Sequence, residues 1–219
     1  MRSNISTQLV KAGLFALASL QASVNAAVSA DDLAAYPEFA AAMTTAGDDL
    51  DWRSYQVTTA SGYVLTLWRI TGSNDVPRLA PKGPVVLEHG IFSDGLSWMN
   101  RTDEETAAFP VKLYELGYDV WICNDRGTGP SRGHTTLDYV ADPQLYWDFT
   151  FEDIGKQDVT AITDFIIQER KGDTCSKLSF VSHSTGITQT AVAALNDPMV
   201  GTKTDRVVAL APCFFFNLQ

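Results

Sequence analysis

The stretch Phe180-Val181-Ser182-His183-Ser184-Thr185-Gly186 decides how the rest of the chain is read. Leu178 to Val181 is a short apolar run of strand character, and Ile187 to Leu195 has the composition of a helix. Between them lies small-x-Ser-x-Gly. That is the pattern of a nucleophile elbow, in which a sharp strand-to-helix turn lifts a serine hydroxyl above the end of a sheet. The turn is tight, so the residues two before and two after the serine must be small, and here they are Ser182 and Gly186. Ser184 is the candidate nucleophile.

A serine that transfers acyl groups needs backbone N–H donors aimed at the oxyanion that develops. One belongs to the residue after the nucleophile, Thr185. The other comes from the loop after an earlier strand. Pro84 to Leu87 is such a strand, running into Glu88-His89-Gly90-Ile91, so the second donor is assigned to the Ile91 amide. His89 is read as a hydrogen-bonding structural residue.

Working outward, Tyr36 to Ala46 is helical in composition and closed by Gly47-Asp48-Asp49. Tyr55 to Thr59 and Tyr63 to Ile70, on either side of Ala60-Ser61-Gly62, read as a hairpin. Residues 72–83 are a Gly- and Pro-containing loop. Beyond it, apolar strands alternate with helices. Ala107 to Leu116 is a helix stopped by Gly117, and Tyr118 to Cys123 is a strand. Asp153 to Gln168 is a helix with apolar residues at Ile154, Val159, Ile162, Phe165 and Ile166, and Arg206 to Leu210 is a strand. This alternation predicts an α/β fold, a mostly parallel sheet covered by helices on both faces. One domain accounts for residues 31–219.

The first thirty residues carry Arg2 and Lys11, the apolar run Ala12 to Leu20, and then small residues, the order of a secretory signal peptide. Cleavage is expected after Ala26 or Ala30. The apolar run is too short for the roughly 20 residues that cross a bilayer, so no transmembrane segment is expected. A net charge of −10, which becomes −12 once Arg2 and Lys11 are removed, excludes nucleic acid as a partner. It leaves neutral lipids and other esters, whose capture is apolar. Cys123, Cys175 and Cys213 are an odd set for an oxidising compartment, and Cys123 and Cys213 read as buried, inert thiols in strand-like runs. With histidines only at 89, 134 and 183, neither a metal site nor a cofactor is expected. Asn100-Arg101-Thr102 is a glycosylation acceptor in an exported chain.

Several motifs occur in one order: Val57-Thr58-Thr59 with Gly62 to Leu67, the run Leu87 to Trp98, and Gly117 to Trp121. They continue through Asn124-x-Arg126-Gly127, Ser131-Arg132-x-His134, Tyr146 to Asp153, Asp158, the elbow, and Ala209 to Pro212. From about Phe39 to Pro212 this pattern resembles the acid lipase family, which includes the gastric and lysosomal acid lipases. The resemblance implies an α/β-hydrolase fold, Ser184 as nucleophile, Ile91 and Thr185 as oxyanion donors, and triacylglycerols, cholesteryl esters or related carboxylic esters as substrates in a secreted, lysosomal or vacuolar setting. The chain departs from the family at Ser182, where glycine is usual, at Thr185, where glutamine is usual, and in the segment Arg126 to Ser131, which lacks a tryptophan.

In this fold the triad runs Ser, then Asp or Glu, then His. Only 35 residues follow Ser184, no histidine follows His183, and Asp197 and Asp205 come too early for the acid. The expectation is the front part of a lipase, without the triad Asp and His, nearly inactive alone and with a missing C-terminal half as its partner. A non-catalytic lipid-binding protein on the same frame is the alternative. In a third reading His134 or His89 serves as base, and His183 projects away from Ser184.

Overall fold

The structure, a computed structural model, describes residues 28–45, 50–72, 82–101, 107–170 and 177–213. Most of the expected leader, Gly47 to Asp49, most of the 72–83 loop and Cys175 lie outside the described residues. No helix among the described residues is long and apolar enough to cross a membrane.

The single N-terminal helix expected from the sequence is two. Helix α1 (Ala30–Ala35) is capped by Ser29, whose hydroxyl accepts from the Asp32 amide at 3.0 Å, and α2 spans Pro37–Thr45. Pro37 explains the break, because proline disfavours the helical region for the residue before it. Tyr36 accordingly sits at φ −131°, ψ 60°. Helix α2 sends Phe39 into the core, stacked on Trp68 at 4.1 Å between ring centroids and edge-on to Trp52 at 4.8 Å.

Strands β1 (Asp51–Thr58) and β2 (Tyr63–Gly72) form the expected hairpin, with Val57 opposite Leu65 and Tyr55 opposite Leu67. The remaining main strands are β3 (Pro84–Glu88), β4 (Asp119–Asn124), β6 (Leu178–His183) and β7 (Thr204–Leu210). A two-residue strand β5 (Gly133–His134) pairs with the start of β2. The sheet order is β1-β2-β4-β3-β6-β7, parallel from β4 to β7 and antiparallel at the hairpin. It is a mixed sheet whose central strands β3 and β4 are buried at every residue.

Alternate residues of these strands feed two cores. On one face Val85, Leu87, Val120 and Ile122 pack with α2 and with α3 (Phe109–Glu115). On the other, Val86, Trp121 and Phe180 meet Val159, Ile162, Ile166 and Ala193. These last residues belong to a long helical stretch and to α7 (Thr185–Asn196), with α4 (Pro143–Tyr146) and α8 (Pro198–Lys203) beside them. The long stretch is α5 (Phe151–Asp153), a π-helical segment Ile154–Val159, and α6 (Thr160–Glu169). The extra residue per turn explains why the buried Ile154 and Val159 lie five apart, one more than an α-helical face would place them. Gly155 lets α7 pass close by. A Cβ there would stand 2.7 Å from the Gln189 carbonyl.

Candidate active site

Three non-glycine residues among those described have positive φ: Phe92 (58°), Ser184 (52°) and Ala211 (49°). They follow the carboxyl ends of β3, β6 and β7, the end of an open α/β sheet at which ligands bind. Positive φ in such residues is sparsely populated and persists where the surroundings enforce it, often at functional sites.

Ser184 stands at the junction of β6 and α7, with ψ −119°, its amide donating to the Leu210 carbonyl at 2.9 Å. Ser182, in the glycine position of the elbow, is fully buried. Its hydroxyl lies 2.9 Å from that of Thr190, which also donates to the Gly186 carbonyl at 2.8 Å. A polar side chain is thus accommodated by a helix hydroxyl one turn on. Gly186 has no such latitude: a Cβ there would lie 2.4 Å from the His89 carbonyl and 2.8 Å from Glu88 Cγ. The first turn of α7 is pressed onto the end of β3.

The segment after β3 is brought to the serine. A Cβ on Gly90 would meet Ser184 Cβ at 3.0 Å and His183 Nδ1 at 3.1 Å. Ile91 follows, exposed, and the Phe92 side chain is 99% exposed. Thr185 is buried, and its hydroxyl has no hydrogen-bond partner among the described residues.

The other candidates are placed as follows. His89 Nδ1 lies 2.9 Å from the Gly90 carbonyl, and its Nε2 accepts from the Asp125 amide at 3.2 Å. Both ring nitrogens are thereby committed, with the neutral tautomer protonated on Nδ1. His134 is committed in the same way, with Nε2 3.0 Å from the Ser61 carbonyl and Nδ1 accepting from the Thr136 and Leu137 amides. His183 is exposed at the end of β6. Asp197 caps α8 through the Met199 amide at 2.8 Å, and Asp205 lies 3.3 Å from Arg206 near the start of β7, the opposite end of the sheet. Asn100 is exposed, and Thr102 of its sequon lies outside the described residues.

A cavity of about 690 Å³ opens beside the Gly90–Phe92 segment. Its wall includes Trp147, Phe149 and Phe151, and its floor reaches His89, Asp125 and Gln189. Beneath it lies a buried charged network without an assigned role at the level of sequence. Arg126 Nε and Nη2 donate to Asp158 Oδ1 at 2.8 and 2.5 Å, and the Arg126 amide donates to Oδ2 at 3.0 Å. The guanidinium carbon sits 4.1 Å from the centre of the Tyr63 ring. The Cys123 thiol donates to the Leu87 carbonyl at 2.9 Å and to Glu88 Oε2 at 2.8 Å. Burial pushes the Asp158 carboxyl up to about 6 against the pull of Arg126, and it pushes the Glu88 carboxyl and the Cys123 thiol well above their usual ranges. Cys123 is the inert buried thiol expected; Cys213 is not, since it lies past β7 and is part exposed. The only sequence-level sign of the network was the presence of Arg126 and Asp158 in recurrent motifs.

Residues 43–102 match a family model described as a partial alpha/beta-hydrolase lipase region. Lipase member K of Homo sapiens is 36% identical over 162 residues, 74% of this chain and 39% of that protein. Gastric triacylglycerol lipase of Rattus norvegicus is 32% identical over 161 residues, 73% of this chain and 39% of that protein. The chain therefore spans about two fifths of the length of the curated relatives it matches. Among solved structures, a putative hydrolase from Bacillus subtilis superimposes with a TM-score of 0.50 at 16% identity, over 84% of this chain and 51% of that one, a likeness of fold.

Proposed function

Since this chain belongs to the acid lipase family of the α/β-hydrolase fold, we propose that it forms the nucleophile-bearing portion of a carboxylic ester hydrolase with Ser184 as its nucleophile. One observation carries the reading: Ser184 occupies a left-handed strand-to-helix junction against which the Gly90 backbone is packed. Attack by the Ser184 hydroxyl on an ester carbonyl forms a tetrahedral intermediate. Its oxyanion is received by the amides of Thr185, at the start of α7, and of Ile91. The alcohol then leaves, and water releases the acid from the acyl-enzyme. The cavity reaches Ile91 but is not lined by Ser184 or Thr185; its aromatic wall suits a neutral, apolar ester, in keeping with triacylglycerol or cholesteryl ester substrates.

A serine hydroxyl needs a base to take its proton. His89 and His134 are both committed elsewhere, and His183, exposed at the end of β6, turns its Nδ1 to the Gly90 backbone. The base and its acid are proposed to come from outside these 219 residues. The chain alone then retains only the contribution of the oxyanion donors and of binding. Removing triad members from other serine hydrolases leaves roughly 10³–10⁴-fold over water. The same cavity supports a second reading, binding of a lipid chain without turnover.

The test is hydrolysis of a short-chain chromogenic ester by the purified chain beside Ser184→Ala. Slow turnover that falls to the uncatalysed rate in the variant supports the first reading. Turnover of order 1–10³ per second that vanishes in Ser184→Ala would place the base within this chain. Apolar ester binding with turnover that is unchanged in the variant supports the second.

Export is proposed on the leader pattern, with Asn100 as the glycan acceptor. Ser29 favours the earlier of the two cleavage sites, since a cut after Ala30 would remove the cap of α1.

A further inference from the structure

The buried polar atoms behind the Gly90–Phe92 segment do not balance if every carboxyl there is ionised. Glu88 is fully buried, Asp125 is 2% exposed and Asp158 is fully buried, three carboxyls in one network. One guanidinium, Arg126, faces them, and it is held by Asp158 through both Nε and Nη2. His89 Nε2 lies 3.8 Å from Asp125 Oδ2, but it accepts from the Asp125 amide at 3.2 Å and so donates no hydrogen bond to that carboxylate. Glu88 Oε2 takes the Cys123 thiol, whereas Glu88 Oε1 and both carboxylate oxygens of Asp125 have no donor among the described residues. Two ionised carboxylates in such a place would have no countercharge besides the Arg126 already held by Asp158, and a buried acid in that position takes up a proton instead.

We propose that Glu88 is a neutral carboxylic acid that shares its proton with Asp125, and that this carboxyl pair is the positioning support of the oxyanion segment. The second half rests on the reading of Ile91 and Thr185 as donors.

One proton satisfies two of the three orphaned positions at once, Glu88 Oε1 and one carboxylate oxygen of Asp125. Glu88 Oε1–H donates to the Asp125 carboxylate, an O–H···O⁻ bond of the short, strong class. The thiol occupies the other Glu88 oxygen. The pair then carries one negative charge, and Asp158 with Arg126 carries none. Burial and the adjacent Asp125 both favour protonated Glu88.

The placement is what makes the pair consequential. Glu88 is the last residue of β3, in register with Ser182, and its Cγ lies against Gly186 at the start of α7. Asp125 directly follows β4, and its amide holds His89. A bond between the two carboxyls ties the carboxyl ends of β3 and β4 together beneath the residues that carry both proposed donors. Loss of the proton would set two like charges side by side there, with Cys123, His89, Asp158 and Arg126 as polar neighbours.

Two measurements test this, and neither depends on Ser184 chemistry. Infrared spectra with isotope-labelled carboxyls should show a protonated carboxylic acid at neutral pH. It should be absent in Glu88→Gln and displaced in Asp125→Asn. No such band in the unmodified chain, or a band indifferent to both substitutions, overturns the shared proton. In the second measurement, the amide resonances of Ile91 and Thr185 should shift with the same titration in the unmodified chain and stay flat in Glu88→Gln, which keeps an N–H donor. A carboxyl that titrates while both amides stay still overturns the positioning role. The unmodified chain alone gives both readouts if Glu88→Gln fails to fold.

Discussion

Gly186 and Ser182 look alike in the elbow pattern, yet the structure separates them. A methyl group on Gly186 would overlap the His89 carbonyl, a backbone atom that cannot swing aside. Gly186→Ala is therefore expected to lower stability by about 1–3 kcal/mol, the range for overpacking, read from urea unfolding midpoints. Ser182→Ala removes one hydroxyl from a pair and should cost about 1 kcal/mol. Equal effects would deny that the α7–β3 contact is the tight one. The buried carboxyls set a pH dependence. Their folded values lie above the ordinary 4.5 of Glu88 and 3.8 of Asp158, the latter at about 6. The folded chain thus holds protons that the unfolded chain has released. That stabilisation is complete below the unfolded values and is lost as pH rises through the folded ones. Unfolding free energy should fall from pH 4 to 6 through Asp158 and further through Glu88, with a slope of at most about 1.4 kcal/mol per pH unit for each proton. Glu88→Gln should remove the Glu88 part; denaturant titrations across pH check this, and an unchanged curve contradicts it. At this scale the sequence made the strand-to-helix turn at Ser184 and the glycine after β3 legible, because both are local patterns. It did not show Glu88 beside Asp125, since they lie 37 positions apart and meet only once β3 and β4 pair.

At the scale of elements, the hairpin, the elbow helix and strands β3, β4 and β6 could be read because each is announced by composition within its own few residues. The π-helical insertion was written in the five-residue step from Ile154 to Val159, although that step passes for helical periodicity. Strand β5 could not be read: two residues make a strand only because β2 lies alongside. The division of the first helix at Pro37 was legible in principle, since the proline is in the sequence. Helix α1 has no buried residue, so its cap matters more than its packing. Ser29→Ala should cost about 0.5–2 kcal/mol of local stability, seen as faster amide exchange in residues 30–35 than in α2. Equal exchange would show that the cap contributes nothing. The same reasoning predicts an exported chain that begins at Ala27, by N-terminal sequencing, and a start at Asp31 would contradict it.

For the whole molecule, the parallel core was legible and the strand order was not, because no local signal places β4 between β2 and β3. Strand β7 shows what the order implies. It pairs only with β6 among the described strands, and Val207, Val208 and Leu210 are 47%, 48% and 38% exposed. Such an apolar edge favours association. Val208→Lys should reduce self-association in sedimentation velocity with unchanged circular dichroism, and an unchanged distribution would show that the edge is not the contact. The central claim is that this fold presents Ser184 as a nucleophile. The most direct measurement is reaction with a fluorophosphonate probe, followed by peptide mapping. The account predicts a single adduct on Ser184, formed slowly and absent from Ser184→Ala. No adduct, or an adduct that persists in Ser184→Ala, would contradict it.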